Sequence, residues 1–242
     1  MFVRLALVLL GALLIASCDT QIRVGALRSE SQSVELGDTG PVRVDIDFGA
    51  GDLEITGGAE NLLEADFTYN VDKLKPEVKY TNGSLHIRQP GTNGLPSLIH
   101  ITDYRNEWDL RLSDQVPMEM SVNMGAGSGD LKLGGLSLTE LDINMGASIS
   151  TIDLSGDWAR DLNATIEAGA ANVSVRLPAE VGVRVEVESG PHTVMTRGLA
   201  ENGDIYTNQA YGESEVTLWI NVEAGIGNII LEVEEKAAAR QD

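Results

Sequence analysis

A single cysteine, three histidines and 17 Lys+Arg against 37 Asp+Glu are what this 242-residue chain has least of. With one thiol no intrachain disulfide can form, so stability has to come from a buried core. His86, His100 and His192 are scattered, which argues against metal sites built on imidazole and thiolate. Nor is there a Ser-His-Asp arrangement, a phosphate loop or a nucleotide fingerprint at usable spacing. The formal charge of −20 rules against nucleic acid as a partner and against a basic patch on anionic lipid. No stretch approaches the roughly 20 apolar residues that span a bilayer. Aromatics make up 5% of the chain and no segment holds a helical period, whereas glycine reaches 26. Aliphatic residues at period two between glycine-rich turns are an all-β signature.

Against these absences stands a marked N-terminus. Arg4, an apolar run from Leu5 to Ile15, and the small pair Ala16-Ser17 read as an export signal over residues 1–17. Ile15-Ala16-Ser17-Cys18 resembles the bacterial lipobox, in which the cysteine is lipidated and becomes the new N-terminus. The expected mature chain therefore starts at Cys18. It loses Arg4 and no acid, leaving 16 Lys+Arg against 37 Asp+Glu and a charge of −21. Two or more acyl chains would hold it stably at a membrane. The expected location is the cell envelope, extracytoplasmic and membrane-anchored by lipid on Cys18, with an envelope protein or a glycan as partner.

Residues 18–33 are polar without a sustained period and read as a tether. Alternation then begins: Val42, Val44, Ile46 and Phe48 take every second position, followed by Gly49-Ala50-Gly51 and by Leu53 and Ile55. The unit recurs as Val122-Asn123-Met124-Gly125-Ala126-Gly127, Ile143-Asn144-Met145-Gly146-Ala147-Ser148 and Ile166-Glu167-Ala168-Gly169-Ala170-Ala171. Looser copies surround Gly190 and Gly225. Steps between the glycines at 125, 146, 169, 190 and 225 are 21, 23, 21 and 35 residues. Such periods signal stacked units that cannot bury an apolar face alone. Two or three short strands per repeat predict a short parallel β-solenoid with Gly49, Gly125, Gly146, Gly169, Gly190 and Gly225 at corners. There glycine accepts a positive φ and lets the next coil approach. An antiparallel β-sandwich with hairpins at the Gly-Ala elements is the alternative. In-register stacking would align Asp47, Asn123, Asn144, Glu167, Glu188 and Glu223 in one polar ladder.

The expected organisation is an N-terminal β subdomain over 34–118 that caps a repeat solenoid over 119–234, with a frayed tail at 235–242. The Asn82-Gly83 step between two short apolar runs predicts a hairpin. The lipoprotein signal, Asp47-Phe48-Gly49-Ala50-Gly51-Asp52-Leu53-Glu54-Ile55 and the downstream Gly-Ala repeats together resemble the toast-rack family. That family is related to LiaF-like cell-wall-active-antibiotic-response domains and to β-solenoid adhesins. The resemblance implies a non-enzymatic envelope scaffold or interaction module, linked to cell-wall stress or adhesion. It carries over structural glycines and no ligand residues.

Three chemistries deserve weighing. Asp52 and Asp130, hard oxygen donors beside glycine turns, are the first calcium candidates, although aspartate after glycine commonly bonds its own backbone. A glycan lyase or hydrolase needs only two carboxylates brought together. Tryptophan is frequent at contact surfaces, yet Trp108, Trp158 and Trp219 fit core positions better. No cofactor and no metal are expected, and no catalytic residue is assigned.

Overall fold

The computed structural model describes residues 24–37, 40–90, 103–188 and 190–235. Cys18, His100 and the tail from residue 236 lie outside them. Among the described residues the only helix is one 3-10 turn, Asp72–Leu74, and none is long and apolar enough to cross a membrane.

The repeats show how the coil is made. Strands β7 (Met118–Lys132), β8 (Leu138–Asp153) and β9 (Leu162–Leu177) are parallel neighbours in register. Fifteen extended residues cover roughly 50 Å, whereas the five residues 133–137 between β7 and β8 reach about 20 Å. The strand must therefore fold back on itself midway, so that its end meets the start of the next. Burial parity places that fold at the Gly-Ala element. Met118, Met120, Val122 and Met124 are buried before it, and Leu131 after it. Alternation thus changes phase across the corner, and both arms aim their apolar side chains at one interior. A Cβ on Gly129 in the second arm would lie 3.5 Å from the Met124 sulfur in the first.

Two more strands share this shape, β2 (Val42–Thr56) and β14 (Thr217–Val233). Together they form the stack β2-β7-β8-β9-β14, every pair parallel. The fold is a parallel, unclosed β-solenoid, and the sandwich alternative does not hold. Each repeat is one bent strand of 15 to 17 residues, however, rather than two or three short ones. Pairing with the neighbouring coils carries on through the corner, which keeps the two arms one strand.

Stacking order also departs from sequence order. Strands β10 (Gly182–Val187) and β11 (His192–Arg197) both pair with β14, one with each arm, at the same offset of 35 residues. They form an interrupted coil outside β14, so the C-terminal strand is inserted between β9 and the segment that precedes it. Short β13 (Ile205–Thr207) and β12 (Ala200–Asn202) follow on the edge of β10. Short edge strands limit pairing with another chain.

The other end is split in the same way. The first arm of β2 pairs with β5 (Ser84–Arg88), which pairs with β4 (Glu77–Thr81) across a two-residue turn. Asn82 and Gly83 have φ of 51° and 78°, as a type I′ hairpin requires. The second arm pairs with β6 (Asn106–Leu112), then β3 (Leu63–Tyr69) and β1 (Arg28–Val34). Residues 28–33, counted with the tether on sequence grounds, thus belong to a strand. Trp108 fills this end, with Phe48 and Phe67 edge-on at 5.0 and 5.3 Å. At the far end Glu234 belongs to the fold too, since its carboxylate accepts from the amides of Gly156 and Ala179, both at 3.3 Å.

Candidate functional site

Gly49, Gly125, Gly146, Gly169 and Gly225 follow one another across the five coils. A Cβ on Gly125, Gly146, Gly169 or Gly225 would meet the carbonyl oxygen of the preceding glycine at 2.3, 2.4, 2.8 and 2.4 Å. Close approach is thus what these positions require. Positive φ falls two residues later, at Gly51, Gly127 and Gly227 (129°, 125° and 142°). Gly190 sits at a bend between β10 and β11, level with Gly225 by the constant offset, and interrupts a coil instead of turning one.

Where the stack begins, side chains satisfy the corner of β2. Gln89 Oε1 accepts from the Gly49 amide at 2.8 Å, while Asn106 Nδ2 and the Tyr104 hydroxyl donate to the Ala50 carbonyl at 2.6 and 2.9 Å. Trp108 Nε1 in turn donates to Asn106 Oδ1 at 3.0 Å. Burial pushes the Tyr104 hydroxyl pKa up, which keeps it a donor.

The remaining chemistry lies on the outer faces of the two arms, where register brings distant residues side by side. On the first arm Asp47, Asn123, Asn144, Glu167 and Glu223 form the polar ladder. Asn123 donates to Asp47 at 3.0 Å and Asn144 to Asn123 at 3.3 Å. Because β14 is inserted, Glu223 neighbours Glu167, and Glu188 lies beyond Glu223 by the offset of 35.

On the second arm Asp52, Glu54, Asp66, Glu107, Asp109 and Asp130 surround an open depression of about 530 Å³. Partial desolvation, then the nearby Glu54 and Asp66 charges, raise the pKa of the exposed Asp109 carboxyl from its ordinary value. Both calcium candidates lie here, each engaged by the protein. Ser128 donates to Asp52, and Lys132 bridges Asp130 and Glu54 at 2.9 and 2.6 Å. Among the described residues no group of three or more His, Cys, Asp or Glu is arranged to hold a metal ion.

The tryptophans separate clearly. Trp108 is 2% exposed and Trp158, whose Nε1 donates to the Leu154 carbonyl at 2.9 Å, is 8% exposed. Trp219 on β14 is 41% exposed and faces outward. Beside it a second depression of about 250 Å³ crosses β8, β9, β14 and β10. Strand alternation alone could have placed Trp219 outside, because Leu218 and Ile220 read as core.

Residues 23–176 match the family described as N-terminal domain of toast_rack, DUF2154. The chain belongs to the toast-rack family. A solved structure similar to this toast-rack protein is a "putative cell adhesion protein" from Clostridium sporogenes. It is 31% identical, covers 86% of this chain and all of that one, and has a TM-score of 0.82. A "putative adhesin" from Bacteroides fragilis is 10% identical over 85% of this chain and 97% of its own, with a TM-score of 0.32. Among curated proteins none matches.

Proposed function

We propose that this toast-rack protein is a non-enzymatic, lipid-anchored adhesion or scaffold module on the extracytoplasmic side of a bacterial envelope. The observation that carries this reading is the pair of outer faces. Each is a broad, open array of polar side chains set by strand register, suited to contact with another surface. The similar Clostridium protein, named for cell adhesion, supports adhesion over stress signalling. Lipid on Cys18 would supply the attachment that the acidic chain cannot obtain from charge.

Cell fractionation and binding of labelled cells to envelope material test it together. Wild-type protein should sediment with membranes and Cys18→Ala should be soluble, while cells displaying the module should bind envelope material that cells lacking it do not. Equal sedimentation of Cys18→Ala removes the anchor, and equal binding by both cells removes the adhesive role.

The raised proton affinity of Asp109 among neighbouring carboxylates favours one second reading, a glycan lyase or hydrolase working in the second-arm depression. Release of new sugar ends by wild type, lost in Asp109→Asn, would put that reading first.

A further inference from the structure

Trp219 is an exposed aromatic in an otherwise polar face, and the structure holds it in place. Strand β14 aims Leu218 and Ile220 into the core at 0% and 2% exposure, which leaves Trp219 pointing out. Register sets Asn163 of β9 on one side and Arg184 of β10 on the other. The Arg184 guanidinium carbon lies 5.8 Å from the indole centroid, and Tyr211 packs edge-on at 5.9 Å and 84°. Arg184 is itself fixed by Glu186 at 2.9 Å. An indole clamped in this way loses little freedom when a ligand arrives, and that loss is a main cost of binding.

Around it the depression offers the amides of Asn163 and Asn221, the Thr165 hydroxyl and the carboxylates of Glu140, Asp142 and Glu186. An aromatic face is electron-rich and attracts weakly positive C–H bonds. A pyranose with equatorial hydroxyls has a flat face of C–H bonds and a rim of hydroxyls that both donate and accept. Amides, hydroxyl and carboxylates at the edge of an indole match such a rim group for group. Charge narrows the class further: three carboxylates face one guanidinium, already paired, so a uronate or phosphorylated sugar would be repelled. Because the depression is open, the chain of a longer glycan can continue past it.

We propose that Trp219 and its polar surround bind one ring of a neutral, equatorially substituted glycan. This rests on the reading of the protein as a contact module and names the ligand class and its place. The test is titration of the full-length protein in detergent with chitotetraose, cellotetraose and, as the anionic probe, tetragalacturonate. Calorimetry and tryptophan fluorescence are followed together. The other two tryptophans are buried, so a sugar-dependent change in emission reports Trp219.

At least one neutral probe should bind saturably, with a Kd on the order of 1 mM for so open a site. Tetragalacturonate should bind about tenfold more weakly, and Trp219→Ala should weaken the neutral sugar about tenfold. Asn163→Ala should weaken it severalfold with an unchanged melting curve, which separates lost contact from lost fold. Three outcomes overturn the inference: no saturable change with either neutral probe, Trp219→Ala and Asn163→Ala binding as wild type does, or preference for the anionic sugar. If Trp219→Ala cells still bind envelope material while neither neutral sugar binds, the contact module stands and its glycan site falls. If wild-type cells bind no envelope material, the wider reading fails whatever the titration gives.

Discussion

The carbonyl oxygen of Gly49 lies 2.3 Å from the point where a Cβ on Gly125 would stand, and the three following glycines of the stack repeat that closeness. The central one is the sharpest place to test it. Gly146→Ala would press a methyl against the Gly125 carbonyl at 2.4 Å, and forcing coils apart costs about 1–3 kcal/mol. Gly135, with nothing within 4 Å of a Cβ and no positive φ, should accept alanine within about 0.5 kcal/mol. Urea melts of the two variants give the comparison.

Removing Asn106 should be more damaging than its single side chain suggests. Its amide serves the half-buried Ala50 carbonyl and its oxygen the Trp108 indole, with Asn106 and Trp108 each 2% exposed. Asn106→Ala leaves the buried Trp108 indole N–H unpaired, while Tyr104 still donates to the Ala50 carbonyl, at a cost of about 1–3 kcal/mol. Thermal melts should show this loss, whereas Asn123→Ala on the exposed ladder should stay within about 0.5 kcal/mol of wild type.

Glu223 lies between Glu167 and the level of Glu188, a row of like charges on adjacent strands. Glu223→Gln keeps an acceptor for Asn221, now 3.3 Å away, and removes the central charge. The variant should gain about 0.2–1 kcal/mol. The gain should shrink near 1 M salt, where screening acts over about 3 Å. Melting curves at low and high salt check both parts.

Asp109 gives the pH dependence a sign. Its folded pKa lies above the unfolded value, so the folded state holds the proton more tightly. Its contribution is then fully present below the unfolded pKa and is lost as pH rises through the raised folded value. Asp109→Asn should remove that loss, so that from the ordinary carboxylate pKa upward the variant gains stability relative to wild type as pH rises. At neutral pH it should be as stable as wild type or slightly more so, by no more than about 0.5 kcal/mol. Denaturant midpoints across pH for both proteins decide it.

What the sequence disclosed was local. Val42 to Phe48 and Met118 to Met124 show their buried face by period two alone, and the Gly-Ala spacing marks the corners. Strand β1 is not legible because an edge strand buries little: its half-buried face carries Glu30 and Gln32 before Val34, which leaves no apolar alternation. The insertion of β14 was equally hidden, since pairing Leu218 with Leu162 across 56 residues leaves no local trace. Both depressions depend on pairings of this long-range kind. Asn163, Trp219 and Arg184 become neighbours only through the inserted strand, and Asp52 meets Glu107 only through β2 and β6.

The inserted strand also governs when the molecule can be finished. During synthesis β10 and β11 emerge before β14, the parallel partner they share, and have no final seat until residues 217–233 arrive. Until then β9 keeps an open edge, the kind of surface that pairs with the wrong chain. The C-terminal strand is therefore a closing stone, and a chain cut short before it would lose the joint of two coils along with its own seventeen residues.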